Sequence, residues 1–410
     1  MHAQLSPEFS ATPEGEEAAG ILRKCVHCGF CNATCPTYQL LGDELDGPRG
    51  RIYLIKQVLE GREVTRSTQV HLDRCLTCLN CETTCPSGVK YGHLVEIGRQ
   101  IVETRVVRPP LERLVRWSLK EGLTSRLFAP AMRAARMLRP ILPKVFKDKI
   151  AMQASPLLPL PSPSTRPRKM LMLEGCVQPA MMPNIDRATQ RVLDKAGIQI
   201  VRAAGTACCG ALRMHLSDCE GARAHMRRNL DAWIPLLAAG DVEAIISSAT
   251  ACTLSLKDYG HALADDPAYA ATAARVSALA RDLSELLPQL IPALQGQLRS
   301  SDTKRLVFHA PCTLQHGQRL RGGVESGLRE LGADITSACE ESHLCCGSAG
   351  TYSVLQPGLA TQLRDRKLSN LAKLNPECIL SANVGCIQHL QSGTTTKVMH
   401  WIEWLDGALV

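Results

Sequence analysis

Two short runs near the N-terminus concentrate cysteine, whose thiolate is a preferred protein ligand for soft metal centres. The first run reads CVHCGFCNATCP over residues 25–36, and the second reads CLTCLNCETTCP over residues 75–86. Both follow the spacing C-x2-C-x2-C-x3-C-P, which is typical of bacterial [4Fe–4S] sites because three thiolates at i, i+3 and i+6 can surround one cluster. Zinc binding and disulfides are the alternatives, but two complete runs that both end in proline favour two [4Fe–4S] clusters.

The fourth cysteine of each run points away from the first three, and in two-cluster proteins it binds the other cluster. We therefore expect two crossed ligand sets: Cys25, Cys28, Cys31 and Cys85 for one cluster, and Cys75, Cys78, Cys81 and Cys35 for the other. This crossing ties the two runs together, so residues 21–104 must form one compact domain. Arg49 and Arg51 lie between the runs and are candidates to balance the cluster charge, although a solvated loop explains them equally well.

Apolar residues recur at helical spacing between the two runs and again after the second run: Ile52, Ile55, Val58 and Leu59, then Leu94, Ile97, Ile101 and Val102. This pattern predicts a mostly helical, two-cluster ferredoxin-type domain over residues 21–104. The preceding residues 1–20 predict a flexible tail. They have neither a basic n-region nor an apolar h-region, so we expect no signal peptide.

The composition is that of a globular protein kept in a reducing compartment. The chain has 410 residues, which predicts two or three domains, and 45% of them are hydrophobic. Its 19 cysteines would indicate disulfides only in a secreted protein. We therefore expect a cytoplasmic protein whose cysteines bind metal. No run of 18 apolar residues appears, so we expect no membrane-spanning helix.

The positive charge of the chain is concentrated in one segment. The whole chain has a net charge of +8, while residues 105–150 contain twelve Lys or Arg and three acidic residues, a local net charge of +9. Apolar and basic residues alternate over residues 105–154 and predict one or two amphipathic helices with a basic face. Such a face can bind an anionic membrane surface or an acidic partner, or it can be a solvated face packed on its own domain. No nucleic-acid-binding motif accompanies it, so we expect no nucleic-acid partner.

Residues 155–168 contain five prolines in fourteen positions, which predicts a semi-rigid linker. From residue 169 onward the chain repeats itself, with a first half at 169–300 and a second half at 301–410. In each half, short apolar runs typical of strands alternate with helical stretches, which predicts a parallel sheet. The predicted fold class is therefore α+β multidomain: a helical two-[4Fe–4S] ferredoxin domain followed by a duplicated α/β cysteine-rich (CCG) domain.

Each half supplies four cysteines at corresponding positions, and the middle two are adjacent and followed by glycine. We call them the first cysteine set, Cys176, Cys208, Cys209 and Cys252, and the second cysteine set, Cys312, Cys345, Cys346 and Cys386. The offsets between corresponding members are 136, 137, 137 and 134 residues, which argues against accident. Glycine permits the sharp turn that lets adjacent thiolates serve one metal. Each set is thus a candidate site for an iron–sulfur cluster or zinc, with metal-free thiols as the alternative.

Three cysteines fall outside these groups and are expected to be ordinary buried residues: Cys219, Cys339 and Cys378. Three histidines lie near the second cysteine set: His309, His316 and His343. Histidine can move protons near neutral pH, as quinone reduction requires, but a packed or hydrogen-bonded role is the commoner one.

The Cys…Cys-Cys-Gly…Cys pattern resembles the cysteine-rich domain of heterodisulfide reductase-like proteins. That family commonly ends its motif in a C-x-x-C pair, whereas residues 249–252 read ATAC and residues 383–386 read NVGC. The missing cysteine argues against a five-thiolate, noncubane cluster. Four thiolates are better suited to a four-ligand cluster or a zinc ion.

With both domains in this order, the chain from about Ile21 to Leu405 resembles the glycolate oxidase (glycolate dehydrogenase) iron–sulfur subunit family. The most specific stretches are CVHCGFCNATCPTYQLLGDELDGPRGRIYLIKQVLEG, HLDRCLTCLNCETTCPSGV and SHLCCGSAGTY. The resemblance implies an oxidoreductase complex in which FAD-containing glycolate oxidase subunits oxidise glycolate to glyoxylate. It also implies that this chain passes the electrons toward a membrane quinone, as a peripheral protein on the inner face of the cell inner membrane.

The residues themselves support the role of an electron conduit, because clusters carry single electrons while a flavin also accepts a hydride. No G-x-G-x-x-G fingerprint follows a predicted strand, so we expect FAD only in partner subunits and no catalytic residue in this chain. Two alternatives stay open. One is the iron–sulfur subunit of another flavin dehydrogenase, for D-lactate or glycerol 3-phosphate, and the other is a zinc-holding scaffold protein.

Overall fold

The computed structural model of the protein describes residues 1–125, 127–138, 157, 159–160, 165–299, 304–337 and 340–410. In these ranges a helical N-terminal domain packs against two α/β halves, which confirms the predicted α+β multidomain fold class. Half of the predicted linker at 155–168, and the end of the basic segment at 139–154, lie outside the described residues. Among the helices that the structure describes, none is long and apolar enough to cross a membrane.

The N-terminal domain is built from short helices on either side of the two cysteine runs. They are α1 (Pro13–Lys24), α2 (Phe30–Ala33), α3 (Pro36–Leu41), α4 (Pro48–Leu59), α5 (Arg66–Asp73), α6 (Asn80–Thr84) and α7 (Tyr91–Arg105), with a 3₁₀ turn at Glu44–Asp46. The apolar residues at helical spacing form the core, where Ile55, Val58 and Leu94 are at most 2% exposed. Because α4 packs against α7, one hydrophobic core supports both runs.

Residues 1–20 are not the flexible tail that the sequence predicts. The side chain of Thr12 caps α1 by accepting a hydrogen bond from the Gly15 amide at 3.1 Å. Ala18 and Leu22 on one face of α1 are fully buried in the core of the N-terminal domain. The prediction is wrong because this narrow apolar face, and not the polar residues among 1–20, decides the packing.

The basic segment forms two amphipathic helices whose basic residues mostly face their own protein. The helices are α8 (Pro110–Thr124) and α9 (Phe128–Leu138). Arg108 forms ion pairs with Asp73 and Glu103 at 2.6 Å, and Arg136 donates to the backbone carbonyl of Ala180 at 2.9 Å. Seven exposed apolar residues on these helices and just before them are called the apolar patch: Val107, Leu111, Leu114, Trp117, Leu127, Met137 and Leu138. The basic residues are thus divided between contacts within the protein and solvent, because Arg113 and Arg133 are exposed. The binding role of the basic face stays a prediction.

Each half of the remaining chain contains a four-stranded parallel sheet. The strands are β1 (Arg168–Met172), β2 (Ile198–Val201), β3 (Ala244–Ser247) and β4 (Ala280–Asp282), then β5 (Leu306–Phe308), β6 (Ile335–Ser337), β7 (Cys378–Ser381) and β8 (Lys397–His400). The strand orders, β2-β1-β3-β4 and β6-β5-β7-β8, are the same, as a duplication requires. The central strands β3 and β7 are buried along their whole length, which explains their continuous apolar sequences.

The two halves exchange helix contacts, so they form one body. The helices are α10 (Gln178–Met181), α11 (Pro183–Lys195), α12 (Ala211–His215), α13 (Cys219–Ala238), α14 (Thr250–Lys257), α15 (Tyr259–Ala262), α16 (Ala270–Leu279), α17 (Leu283–Leu294), α18 (Gly323–Glu330), α19 (Tyr352–Leu355), α20 (Pro357–Ala372), α21 (Val384–Gln391) and α22 (Trp401–Ala408), with a π-helix at Thr313–Gly317. The last helix of each half packs on the first long helix of the other: α22 on α11, and α17 on α18. Arg191 and Asp406 join the first pair through an ion pair of 2.5 Å.

Candidate functional site

Both cysteine runs fold into the same loop-and-helix unit. The first run lies between α1 and α3 and contains α2, and the second lies between α5 and α7 and contains α6. Each loop bends sharply because two of its residues have a left-handed backbone: His27 (φ 59°) and Gly29 (φ 84°) in the first, Thr77 (φ 51°) and Leu79 (φ 60°) in the second. Such backbone is uncommon for residues other than glycine and concentrates at functional sites. The loops are thus shaped to curve around a bound group.

One cavity, site 1, is lined by the crossed set expected for the first cluster: Cys25, Cys28, Cys31 and Cys85. Burial raises the pKa of Cys31 to about 11, and the neighbouring thiols add to the effect. A bound metal would instead hold these groups as thiolates. Site 1 opens to the surface, because Cys28 is exposed and Val26 and Phe30 at its edge are 69% and 62% exposed.

A second cavity, site 2, is lined by the other crossed set: Cys35, Cys75, Cys78 and Cys81. Cys81 also lines site 1, so the two sites are neighbours. Site 2 is the more enclosed of the two, since Cys35, Cys75 and Cys81 are at most 8% exposed. Four convergent thiols in each cavity match the donor set of a [4Fe–4S] cluster. The crossed ligand assignment stays a prediction, which this geometry permits.

Two buried arginines give site 2 positive surroundings. Arg51 is 1% exposed, donates to Oγ1 of Thr37 at 3.2 Å and lies 3.5 Å from Asp46. Arg99 donates to the backbone carbonyl of Cys75 at 2.6 Å. Although burial opposes the effect, Arg51 and Arg99 lower the pKa of Cys75. Both cations would therefore compensate the negative charge of a thiolate-bound cluster, and Arg51 is not a residue of a solvated loop.

The first cysteine set forms a continuous chain of contacting thiols at the carboxyl ends of β1 and β3. The Sγ atoms of Cys176 and Cys208 are 3.3 Å apart, and Cys209 contacts both Cys208 and Cys252. Gly210 has φ 95°, which supplies the turn expected after the adjacent pair. Hydrogen bonds with Cys176 and Cys209 lower the pKa of Cys208 well below its ordinary value.

Neutral side chains hold the turn of the first set. Asn229 on α13 donates to the carbonyl of Cys208 at 3.0 Å, and Tyr259 donates to the carbonyl of Cys209 at 3.1 Å. Both side chains are fully buried. The turn is therefore rigid, and the two side chains that hold it carry no charge.

The second cysteine set repeats the arrangement at the carboxyl ends of β5 and β7. Each thiol of the set contacts the next one, and all four are at most 8% exposed: Cys312, Cys345, Cys346 and Cys386. Gly347 has φ 88°, and its amide lies 3.4 Å from Sγ of Cys345. Contact with Cys345, together with burial, raises the pKa of Cys312 well above its ordinary value. Four buried thiols in contact fit a metal centre better than exposed redox thiols.

A buried lysine lies beside the second set. Lys367 on α20 is 2% exposed, and its Nζ donates to the backbone carbonyl of Glu341 at 2.6 Å. Burial lowers the pKa of Lys367, while charge on Cys312 and Cys346 opposes that shift. A cation near these thiols favours a negatively charged group at the second set.

The second set lies directly against site 2. Cys312 and Cys345 belong to one buried cluster with Leu76, and Cys78 of site 2 packs against that cluster. Burial, together with charge on Cys312 and Cys35, raises the pKa of Cys78 well above its ordinary value. The first set belongs to a separate cluster formed within its own half. The two sets look equivalent in the sequence, but the second set is the one that packs against site 2 of the N-terminal domain.

Two of the three candidate histidines take part in this domain contact. His316 has both ring nitrogens engaged, with Nδ1 at 2.9 Å from Oγ1 of Thr83 and Nε2 at 2.8 Å from the carbonyl of His343. Asn80 donates to the same carbonyl at 3.3 Å. These bonds join α6 to the second half, so His316 has the hydrogen-bonded role that is common for buried histidine.

His309 has different surroundings. It is 2% exposed, and burial lowers its pKa to about 3, so its imidazole is neutral. One of its ring nitrogens and the Sγ atoms of Cys346 and Cys386 all lie within 4.8 Å of one another. His309 is therefore part of the surroundings of the second set.

Sequence reasoning missed Arg99 and Lys367, although a signal for both was present. Lys367 stands four residues from Leu363 and from Leu371, so it interrupts an apolar stripe of α20 that is at most 2% exposed. Arg99 interrupts the buried face of α7 in the same way. A basic residue at a core position indicates a buried negative partner. Of the unassigned cysteines, Cys219 and Cys378 are buried and Cys339 lies outside the described residues.

Comparisons with known proteins agree with both kinds of site. The 4Fe-4S dicluster domain family matches residues 21–89, and the cysteine-rich domain family matches residues 170–257 and 306–391. The chain is 51% identical to the glycolate oxidase iron-sulfur subunit of Escherichia coli (strain K12), over 100% of this chain and 99% of that one. The chain belongs to the glycolate oxidase iron–sulfur subunit family. This confirms the resemblance read from the sequence, and the dicluster domain supports the expected [4Fe–4S] clusters.

Other relatives are less similar to the chain or match only part of it. The probable glycolate oxidase iron-sulfur subunit of Bacillus subtilis (strain 168) is 30% identical over 95% of this chain and 92% of its own length. Lactate utilization protein A of Bacillus velezensis is 25% identical over 58% of this chain. A crystal structure of a hypothetical protein from Helicobacter pylori has a TM-score of 0.54 at 12% identity, covering 97% of this chain and 73% of that chain, and shows a shared fold. Full-length similarity thus supports the glycolate oxidase family over the lactate relatives.

Proposed function

We propose that this protein carries electrons within a glycolate-oxidising complex, from FAD-containing partner subunits toward a membrane quinone. The observation that supports the proposal most is a row of three cysteine sites. Site 1 opens to the surface, site 2 is enclosed, and the second cysteine set lies against site 2. When bound, iron–sulfur clusters supply one-electron transfer. Full-length similarity to the Escherichia coli subunit supports glycolate as the substrate of the complex.

In this proposal, the residues of the chain hold the electron carriers and tune their surroundings. Exposed Val26 and Phe30 beside site 1 offer an apolar contact to a partner subunit. Arg51 keeps the surroundings of site 2 positive, and the hydroxyl of Tyr91 donates to Sγ of Cys75 at 3.6 Å. Charges and hydrogen bonds of this kind set the potential of a cluster.

Substrate oxidation belongs to the partner subunits in this proposal. Oxidation of glycolate to glyoxylate removes a proton and a hydride, and the hydride carries both electrons. A flavin accepts the hydride, whereas an iron–sulfur cluster does not. The sequence has no dinucleotide fingerprint after a strand. The chain therefore takes electrons one at a time from a reduced flavin, and it contributes no residue to glycolate itself.

We further propose that the complex lies on the inner face of the cell membrane through the apolar patch of α8 and α9. Leu111, Leu114 and Trp117 on α8 are 72%, 57% and 59% exposed. Tryptophan and leucine on one helix face favour the membrane–water interface. Exposed Arg113 and Arg133 in the same helices complement anionic lipid headgroups. The apolar patch and these two arginines together support peripheral binding.

The test uses the intact complex with its FAD-containing partners, purified anaerobically. Glycolate should bleach the visible absorbance of the clusters, and a quinone should restore it. The chain purified alone should stay oxidised in glycolate. Faster bleaching with D-lactate or glycerol 3-phosphate than with glycolate would contradict the proposed substrate. Bleaching of the isolated chain by glycolate would contradict the proposal that the partner subunits oxidise the substrate.

A further inference from the structure

His309 occupies the position in the second half that Leu173 occupies in the first. Each lies three residues before the first cysteine of its set, at the offset that also separates those two cysteines. Each donates its backbone amide to the adjacent central strand, His309 to Leu380 at 2.8 Å and Leu173 to Ile246 at 2.9 Å. The two halves thus differ by a fully buried leucine in one and a buried histidine in the other.

The side chain of His309 leaves one nitrogen unsatisfied. Its Nε2 is buried and has no hydrogen-bond partner among the residues that the structure describes. Most buried polar groups are paired, and Nε2 of His309 differs from the other buried atoms without a partner because His309 is grouped with two thiols as a possible set of metal ligands. The thiols of Cys346 and Cys386 lie within 4.8 Å of a ring nitrogen of His309. His316 provides the contrast, since both of its nitrogens are hydrogen-bonded.

We propose that His309 is a fifth protein ligand of the iron–sulfur centre held by the second cysteine set, bound through Nε2. The inference rests on the proposed redox role of that set. Imidazole is a common ligand for iron alongside thiolates. In a C-x-x-C motif a fifth cysteine would stand at position 383, where this chain has Asn383. The imidazole of His309 would supply the fifth donor instead. The first set, with Leu173, offers four thiolates and is suited to a four-ligand cluster or zinc.

A histidine ligand has a chemical consequence for the second set. Imidazole is neutral, so a site with four thiolates and one histidine carries one negative charge less than a site with five thiolates. Replacing cysteine by histidine raises the potential of other iron–sulfur centres. Lys367 acts in the same direction, because it is a buried cation beside the same thiols. The second set would therefore attract electrons from site 2.

The test is pulsed EPR spectroscopy of the reduced intact complex. The signal of the second set is identified as the one that Cys345→Ser removes. We expect this signal to show a strong nitrogen coupling in the unmutated protein, and labelling with [15N]histidine should convert it from a 14N to a 15N pattern. His309→Cys offers a thiolate at the same place, so the signal should persist without the coupling and at a lower reduction potential. His309→Leu, the residue of the first half, should lose the coupling as well.

His316→Gln is the matched control, because its nitrogens are already bonded to other groups, and it should keep the coupling. If the signal shows no histidine coupling, or if the coupling survives in His309→Cys, ligation by His309 is wrong while the redox role of the second set stands. If the second set contains zinc or no metal, the signal itself is absent. In that case this inference and the redox role both fail.

Discussion

The first and second cysteine sets come from duplicated halves with the same strand order, but their neighbours differ. The second set packs against Cys78 of site 2 and has a buried cation, Lys367, beside it. The first set is enclosed by its own half, where the neutral Asn229 holds the turn. Duplication therefore provides two similar groups of thiols, and the docking of the N-terminal domain decides which one is next to the clusters.

This difference suggests a division of roles between the halves. In the proposed function, the second half extends the row of electron-carrying sites. The first half supports α8 and α9 instead, since Lys120 lies 3.3 Å from Asp218 and Arg136 donates to the carbonyl of Ala180. In this account, the first half positions the apolar patch and the second half conducts electrons.

The largest effect is expected when one thiol is removed from each set, which tests whether the two sets differ in function. Cys345→Ser should lower glycolate-driven quinone reduction by more than about 100-fold, because even changes outside the ligand shell of a metal site cost about 10–100-fold. Cys208→Ser should leave the rate nearly unchanged. Quinone reduction by the purified complex measures both. Equal losses in the two variants would show that both sets conduct electrons.

Lys367→Met tests the charge at the second set with little change in shape. We expect about a 10- to 100-fold slower quinone reduction and a lower reduction potential of the second set, because a buried cation that favours the reduced centre is lost. Asn229→Leu is the matched change beside the first set and should alter neither quantity. A redox titration monitored by EPR provides the measurement, and an unchanged potential in Lys367→Met would exclude the charge effect.

The role assigned to the first half is tested at the membrane. Leu111→Glu with Leu114→Glu should weaken membrane binding at least tenfold, because burial of one leucine contributes about 1.5–3 kcal/mol. Ile234→Glu, at a 42% exposed position of α13 outside the apolar patch, is the control. Flotation with anionic vesicles measures binding. Glycolate oxidation with a soluble dye should be unchanged in both variants. If the two variants bind the vesicles equally well, the apolar patch does not bind the membrane.

The smallest effect concerns pH, because the N-terminal domain contacts each half through titrating groups. At the first half, His93 lies 3.2 Å from Asp258 and from Glu17. Although burial opposes it, hydrogen bonds to Asp258 and Glu17 raise the pKa of His93 to about 10. Hydrogen bonds with His261 and His93 lower the pKa of Glu17 to about 2. At the second half, burial lowers the pKa of His316 to about 4.

The signs of these shifts are opposite at the two contacts. A raised pKa means that the contribution of His93 is complete below its ordinary pKa of about 6.5 and is lost as pH rises toward 10. A lowered pKa means that the contribution of His316 is complete above about 6.5 and is lost as pH falls toward 4. Glu17 adds stability above about 4.5 that is lost toward pH 2. Hydrogen exchange should therefore show α15 loosening at alkaline pH and α6 loosening at acid pH, and His93→Gln should abolish the alkaline effect alone.

Much of the fold could be predicted because its signals are local in the sequence. The spacing of the cysteine runs predicts two metal sites, and the recurrence of Cys-Cys-Gly predicts two equivalent α/β halves. The burial of Ala18 in α1 was missed because it depends on a core formed by distant helices. The ion pairs of Arg108 could not be predicted for the same reason, since only the fold brings Asp73 and Glu103 close to it.

The inequality of the two cysteine sets could not be predicted from their motifs, which are alike. It depends on which half contacts α6, and that contact is made by side chains such as Thr83 and His316 far apart in the sequence. His309 was noted as a candidate, but its orphan Nε2 becomes visible only in the folded chain. Tertiary contacts, rather than local spacing, therefore determine the surroundings of each set.

The most direct test of the account is EPR spectroscopy of the intact complex reduced by glycolate. The account predicts, beyond the signals of the N-terminal domain, a further iron–sulfur signal that is magnetically coupled to site 2. Cys345→Ser should remove this signal, and Cys208→Ser should leave it intact. Loss of the signal in Cys208→Ser, or the absence of any signal beyond those of sites 1 and 2, would contradict the claim that the second set is the one next to the clusters in the electron path.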